Sequence, residues 1–363
     1  MFVKWDITEK CNLNCIHCKV SGSKNNDNEL DFNDIIYMVD KLKRDGVQYI
    51  QFIGGEPFCK ENFLEILKYC NSKNIGIGIT TNGTMMDERI INKLKKDIEV
   101  PMYIYFSLDG PNSFTNDQIR GKGVFEKCIT SLATLSKYKG DMPNLIIGVN
   151  ATINKINKDF IDEYIKLSNS YLVDVLGFSY IEEDGNAIEN KEKLIISDAE
   201  KIEVFDKIFK AYSALEKNFM INMPIKNKVI NFFNNKYKCN YPLRKEGNGC
   251  MVFRGGVRIS STGSIYPCES RHVIKESIDM KVINEEGAKL QKDRKILELE
   301  EIKDFRELIT NNLNRYNLLT SNIDCEYRNI CLGCPMDMGE ITSMCRICNM
   351  LGEVPKGDCN ENV

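Results

Sequence analysis

Cys11, Cys15 and Cys18 sit close together in the run Cys11-Asn12-Leu13-Asn14-Cys15-Ile16-His17-Cys18. Three thiolates on one tight loop can hold three irons of a four-iron cluster. The fourth iron then keeps an open position, and an open position on a metal is where a substrate or cofactor binds. A closed structural site needs a fourth ligand nearby, yet the next cysteine, Cys59, comes only after a further strand-like run. The other uses of such a trio are a zinc loop lacking one ligand or three buried thiols. His17, inside the loop, reads as a ring-bearing spacer.

A second run, Gly54-Gly55-Glu56-Pro57, ends the strand that follows. The two runs in this order resemble the radical S-adenosylmethionine (SAM) superfamily. The resemblance implies that SAM chelates the open iron through its amino and carboxylate groups. Its reductive cleavage would give methionine and a 5′-deoxyadenosyl radical that abstracts hydrogen. Gly54 and Gly55 would let backbone approach a ligand closely, with Pro57 completing the motif. Glu56 would accept a hydrogen bond from the SAM amino group, directly or through a neighbour. Asn82 ends the third strand in Thr80-Thr81-Asn82-Gly83 and belongs to the same expected pocket. Arg120, in Asp117-Gln118-Ile119-Arg120-Gly121, is expected to pair with the SAM carboxylate, which suits a planar guanidinium. Ser107 and Asn150 match positions that contact the ribose or methionine part.

The C-terminal third carries a second cysteine pattern. Cys250 and Cys268 flank a hairpin, Val257–Ser260 and Ser264–Tyr266, turning at Thr262-Gly263. Cys325, Cys331, Cys334, Cys345, Cys348 and Cys359 follow. The pattern is similar to the SPASM extension of radical SAM peptide and protein maturases, which implies two auxiliary four-iron clusters. By order, Cys250, Cys268 and Cys334, with Cys239 as a possible fourth, would serve one cluster. Cys325, Cys331 and two of Cys345, Cys348 and Cys359 would serve the other. The chain departs from the extension's usual spacing: Asn322 stands where its first cysteine would fall, and Cys331-Leu332-Gly333-Cys334 is one residue short. A zinc ribbon built from Cys331, Cys334, Cys345 and Cys348 is the alternative. Glu269 follows Cys268 and, by similarity to sulfatase-maturing relatives, would act as the base that takes a proton while a substrate radical is oxidised. Cys59, Cys70 and Cys128 read as ordinary thiols.

The elements that must position these residues alternate. Strand-like runs cover Phe2–Thr8, Gln48–Ile53, Ile75–Thr81, Met102–Leu108, Leu145–Ile153 and Val173–Ile181. Helical patterns fall between them, at Asp31–Asp45 and about Glu61–Ser72, Asp87–Lys96, Gly123–Tyr138 and Lys158–Asn169. The alternation predicts an α/β fold: a partial, TIM-like (β/α)6 barrel with right-handed crossovers, followed by a cysteine-rich α+β cluster-binding domain. In such barrels chemistry sits at the C-terminal ends of the strands, where both motif loops fall. The expected division is 1–190 for the barrel, 191–236 for a helical bridge opened by the capping box Ser197-Asp198-Ala199-Glu200, and 237–363 for the auxiliary domain.

Composition narrows the classes. The 363 residues are 42% hydrophobic and 28% charged with net charge −3, which points away from nucleic-acid and membrane surfaces. No signal peptide or 18-residue apolar run is present, so a cytoplasmic protein is expected. Fifteen cysteines there argue for metal rather than disulfides. Two histidines, His17 and His272, leave little room for histidine-dependent mechanisms. The resemblance implies oxidative modification of a ribosomally made peptide, giving a thioether or carbon–carbon crosslink. A sulfatase-type maturase making formylglycine and a non-catalytic electron-transfer subunit are the alternatives. An electron donor such as flavodoxin or ferredoxin is expected. No leader-binding domain precedes the first strand, so leader recognition would use a separate partner or the barrel rim.

Overall fold

The computed structural model describes residues 2–20, 28–215, 219–225, 227–243 and 256–266, with the single positions 307 and 351. Its strands β1 (Phe2–Thr8), β2 (Tyr49–Gly54), β3 (Gly76–Thr81), β4 (Met102–Ser107), β5 (Leu145–Ile153) and β6 (Val175–Tyr180) pair in sequence order, all parallel. Each lies within a residue or two of its expected run. Among the described residues the sheet runs on at both edges. The three-residue β7 (Met220–Asn222) joins β6, and β8 (Gly256–Ile259) pairs in parallel with β1. The short β9 (Ile265–Tyr266) returns antiparallel to β8, so the expected hairpin forms. The order is β7-β6-β5-β4-β3-β2-β1-β8-β9, an open barrel sheet.

Helices α1 (Phe32–Arg44), α2 (Phe63–Ser72), α3 (Glu88–Asp97), α4 (Ser113–Arg120), α5 (Val124–Tyr138) and α6 (Ile161–Ser170) fill the crossovers. Their starts follow the sequence: Asp31, Asp87 and Asn112 each accept a hydrogen bond from a backbone N–H of the first turn. The helix α4 is an addition to the predicted set. Its pattern is short, and Gly121 (φ +112°) and Gly123 (φ +77°) separate it from α5 in conformations that favour glycine. Past β6 come the single turns α7 (Asn186–Glu189) and α8 (Lys191–Leu194), then α9 (Asp198–Ser213) behind its expected Ser197/Glu200 capping box, and α10 (Asn227–Tyr237).

Alternation along the strands divides the two faces. In β4, Met102, Ile104 and Phe106 are buried against the helices, in one core with Trp5, Phe52, Ile79 and Val149. Tyr103, Tyr105 and Ser107 face the inside of the barrel and are only partly buried. Glycines on that inner face make room for large neighbours: a Cβ on Gly148 would fall 2.2 Å from the Tyr105 ring. The inner face also holds a buried pair, Arg258 of β8 on Asp6 of β1, with Nε–Oδ2 at 2.7 Å and Nη2–Oδ1 at 2.8 Å.

Candidate active site at the barrel mouth

The segment after β1 leaves the sheet and is clasped at its neck. Thr8 Oγ1 donates to Glu29 at 2.9 Å, and Glu9 N–H donates to the same carboxylate at 2.6 Å. Lys60 bridges Glu29 Oε2 (3.2 Å) and the Leu30 carbonyl (2.8 Å). Leu30 N–H donates to Ser261 O at 2.8 Å, bringing in the β8–β9 hairpin.

The three cysteines lie at the crown of this loop, Cys15 buried and Cys11 and Cys18 half-buried, all as free thiols. Burial pushes the Cys15 thiol up to about 12 and raises Cys11 as well. Binding a metal would therefore release protons. The segment after β6 caps the loop's carbonyls. Asn186 N–H donates to Cys18 O (2.9 Å), Asn186 Nδ2 to Cys15 O (3.0 Å), and Asn190 Nδ2 to Ile16 O (3.2 Å). Gly185, at φ +56°, passes so close that a Cβ would sit 2.4 Å from Cys18 O. Ile16 N–H donates to Ile119 O of α4 at 3.0 Å.

Gly54 and Gly55 serve this loop first. A Cβ on either would lie 2.2 Å from a carbonyl of the chain leaving β1, Thr8 O for one and Lys10 O for the other. The close approach that the glycines permit is thus made by backbone 8–10. Pro57 is buried at the start of a short turn capped by Glu56. Glu56 is fully buried. Its Oε1 accepts from Thr81 Oγ1 (2.7 Å) and Phe58 N–H (3.2 Å), and Oε2 accepts from Asn82 N–H (2.7 Å). Burial pushes its carboxyl up to about 7 in spite of these donors. Asn82 reaches the loop, with Nδ2 2.8 Å from Asn12 Oδ1 and 4.0 Å from Cys11 Sγ.

On the other side, Asp109 lies two residues past the end of β4, completely buried. Its Oδ1 accepts from Thr152 N–H at 2.7 Å. Its Oδ2 takes Arg120 Nε at 2.7 Å and His17 Nε2 at 3.0 Å. Both contacts are close but poorly aligned for hydrogen bonding, since Asp109 Oδ2 and Arg120 Nε lack an aligned partner. The Arg120–Asp109 pair is held by charge more than by directional bonding. Burial alone would raise the Asp109 carboxyl, but Arg120 and then His17 hold it well below the usual carboxylate range. His17 is therefore more than a spacer: it meets the turn after β4 at Asp109. Ser107 and Asn150 are cross-strand partners in register, partly buried on the inner face. Asn150 Oδ1 occupies the space beside Gly177.

Cys11, Cys15, Cys18, Glu56, Asn82, Arg120, Ser107 and Asn150 thus all fall at or beside the C-terminal ends of the strands. Cys70 and Cys128 are buried, and Cys59 lies against Met85. Cys239 follows α10, its thiol 3.3 Å from Asn234 Oδ1. Glu269 and the cysteines at 250, 268, 325, 331, 334, 345, 348 and 359 lie outside the described residues. Sequence reading missed Glu29, Lys60, Asp109, Gly185, Asn186 and Asn190; the one local signal was Asp109-Gly110 closing a strand.

Three free thiols on one loop are a donor set that a four-iron cluster can use, with one thiolate to each of three irons.

A profile of the radical SAM superfamily matches residues 5–167. The mycofactocin maturase MftC of Mycolicibacterium smegmatis is 33% identical over 167 residues, 46% of this chain and 41% of that protein. The match spans about two-fifths of that relative's length. The AdoMet-dependent heme synthase of Methanosarcina barkeri is 24% identical over 344 residues, 92% of this chain and 90% of that protein. SuiB of Streptococcus suis, solved with S-adenosylmethionine, has a TM-score of 0.60 at 18% identity, covering 76% of this chain and 61% of that one. SuiB solved with its precursor peptide SuiA has a TM-score of 0.58, with 74% and 59% covered. These likenesses share the barrel fold. Among the described residues no helix is long and apolar enough to cross a membrane.

Proposed function

The chain belongs to the radical SAM superfamily, and from that premise we propose that it cleaves SAM reductively to modify a ribosomally made peptide oxidatively, by a thioether or carbon–carbon crosslink. The observation that carries this reading is the three-thiol loop clasped at the barrel mouth beside Glu56, Asn82 and Arg120. A four-iron cluster on Cys11, Cys15 and Cys18 would supply the electron that cleaves SAM into a hydrogen-abstracting radical. The remaining work belongs to the chain. Asn82 braces the Cys11 side of the loop, and Asn186 and Asn190 fix its crown. Arg120, steadied at Nε by Asp109, would turn its terminal nitrogens to the SAM carboxylate. Ser107 and Asn150 offer hydrogen-bonding groups at the strand ends, and the inner face of the sheet would position one C–H bond. The peptide would lose one hydrogen atom to the radical and a further electron and proton. The electron would pass to an auxiliary cluster in the C-terminal region, with Glu269 as acceptor of the proton. Mycofactocin maturase and SuiB with its precursor peptide support a peptide substrate.

A second reading has its own support, because the heme synthase relative matches over nine-tenths of both chains. It would make this chain a heme-forming enzyme. One experiment separates them. Anaerobically reconstituted, reduced protein is given SAM with peptides encoded beside its gene, or with an iron porphyrin. The proposal expects 5′-deoxyadenosine and a peptide lighter by two hydrogens. A converted porphyrin with an unchanged peptide would favour the second reading. No 5′-deoxyadenosine from any mixture would leave an electron-transfer role. Replacing Cys11, Cys15 and Cys18 by alanine should abolish SAM cleavage while iron in the C-terminal region stays.

A further inference from the structure

One carboxylate oxygen, Asp109 Oδ2, receives both His17 from inside the cysteine loop and Arg120 from the end of α4. All three side chains are nearly or fully out of solvent: Asp109 is 0% exposed, Arg120 10% and His17 12%. The other oxygen is fixed to the backbone of β5 through Thr152, so Asp109 cannot swing to follow one partner without losing the other. The Asp109 backbone is held too, its N–H donating to Asn116 Oδ1 (3.0 Å) and its carbonyl accepting from Asn157 Nδ2 (2.9 Å). Arg120 uses its Nε on Asp109 and has no other paired contact among the described residues. His17 is bonded directly to Cys18 and separated from Cys15 by Ile16 alone, so a shift at Asp109 reaches both cysteines through a very short stretch of chain.

We propose that Asp109 is a positioning residue that couples the two halves of the site, joining the three-thiol loop through His17 to the carboxylate-facing guanidinium of Arg120. This inference deepens the reading above and rests on its assignment of Arg120 to SAM. Occupancy at Arg120 then favours one placement of the loop, and placement of the loop favours occupancy, because coupling between two sites is reciprocal. His17 reaches Arg120 through Asp109 Oδ2, which both side chains face.

The test follows the electron paramagnetic resonance signal of the reduced, reconstituted full chain as SAM is added. A SAM-dependent change reports only the cluster that SAM reaches. Asp109→Asn should shift the half-saturating SAM concentration up by about tenfold, in the usual range for coupled sites. His17→Phe keeps a ring and leaves the Asp109–Arg120 pair in place, so it serves if Asp109→Asn does not fold. It should weaken SAM in the same direction and alter the spectrum. The double variant should be no worse than Asp109→Asn alone, because both act through one oxygen. Wild-type midpoints in both single variants, or a double variant whose effect is the product of the singles, would overturn the coupling. A wild-type chain with no SAM-dependent change would instead overturn the functional reading. The tie is then read in the cluster-free chain as the alkylation rate of Cys15. The tie predicts faster alkylation in both variants, and equal rates would refute it.

Discussion

The buried Glu56 makes a prediction whose sign depends on pH. Its carboxyl is pushed from an ordinary 4.5 up to about 7 by burial. A raised folded-state value means that the folded chain holds the proton more tightly than the unfolded chain. The resulting stability is fully present below about pH 4.5 and is lost as pH rises through about 7. The gap of 2.5 between those values, at about 1.36 kcal/mol per pH unit, amounts to about 3 kcal/mol. Glu56→Gln removes the titration but not the shape. It also places an amide N–H against one of the donors now facing the carboxylate, Thr81 Oγ1, Asn82 N–H or Phe58 N–H. That mismatch costs about 1–3 kcal/mol at every pH. The variant should therefore be less stable than wild type at pH 4.5 and should match or pass it near pH 8.5. Anaerobic urea unfolding of both proteins at the two pH values measures this. A stability difference that is the same at both values would refute the argument that desolvation sets the protonation of Glu56.

Three further outcomes follow from the packing. Arg258→Met strips the buried Asp6 of its bidentate partner and should cost about 3–5 kcal/mol in urea unfolding; Asp6→Leu with Arg258→Met should recover most of it, and a single variant as stable as wild type would contradict the pair's isolation from water. Asn186→Ala removes the side-chain donor to Cys15 O and should lower local stability by about 1 kcal/mol, seen as faster hydrogen exchange across residues 11–18 with exchange elsewhere unchanged. Gly148→Ala drives a Cβ into the Tyr105 ring and should destabilise by about 1–3 kcal/mol, relieved when Tyr105 is also made alanine; equal stability of Gly148→Ala and wild type would show that the ring moves freely.

Much of the barrel was legible because each strand is a β-branched or aromatic run closed by a polar or glycine signal. The helices carried explicit start residues such as Asp31, Asp87 and Ser197. The short helix α4 and strand β7 were not, being too brief for a period to emerge. The pairing of β8 with β1 left no local trace, because parallel pairing between distant segments is specified by packing rather than by a turn. At the site, spacing exposed the thiols and the Gly-Gly-Glu-Pro run. The residues that hold them in place were silent: a single Glu29, Asp109 or Asn186 in a loop has no pattern until the fold brings it to a carbonyl or a cation. The glycines of the motif were read for a ligand, whereas the chain itself fills their missing Cβ positions.

The first strand gains its second neighbour from far along the chain, since Asp6 and Arg258 stand 252 positions apart. During synthesis the ribosome must release most of the polypeptide before that edge of β1 is covered and before Leu30 finds Ser261. Until then an apolar strand edge is open to wrong partners. Metal loading of the nascent thiols would meet a pocket fastened on one side alone. Such long-range closure is slow, so delivery of iron and sulfide belongs after the hairpin has emerged, and a truncation ending before the hairpin should be both poorly loaded and prone to aggregate.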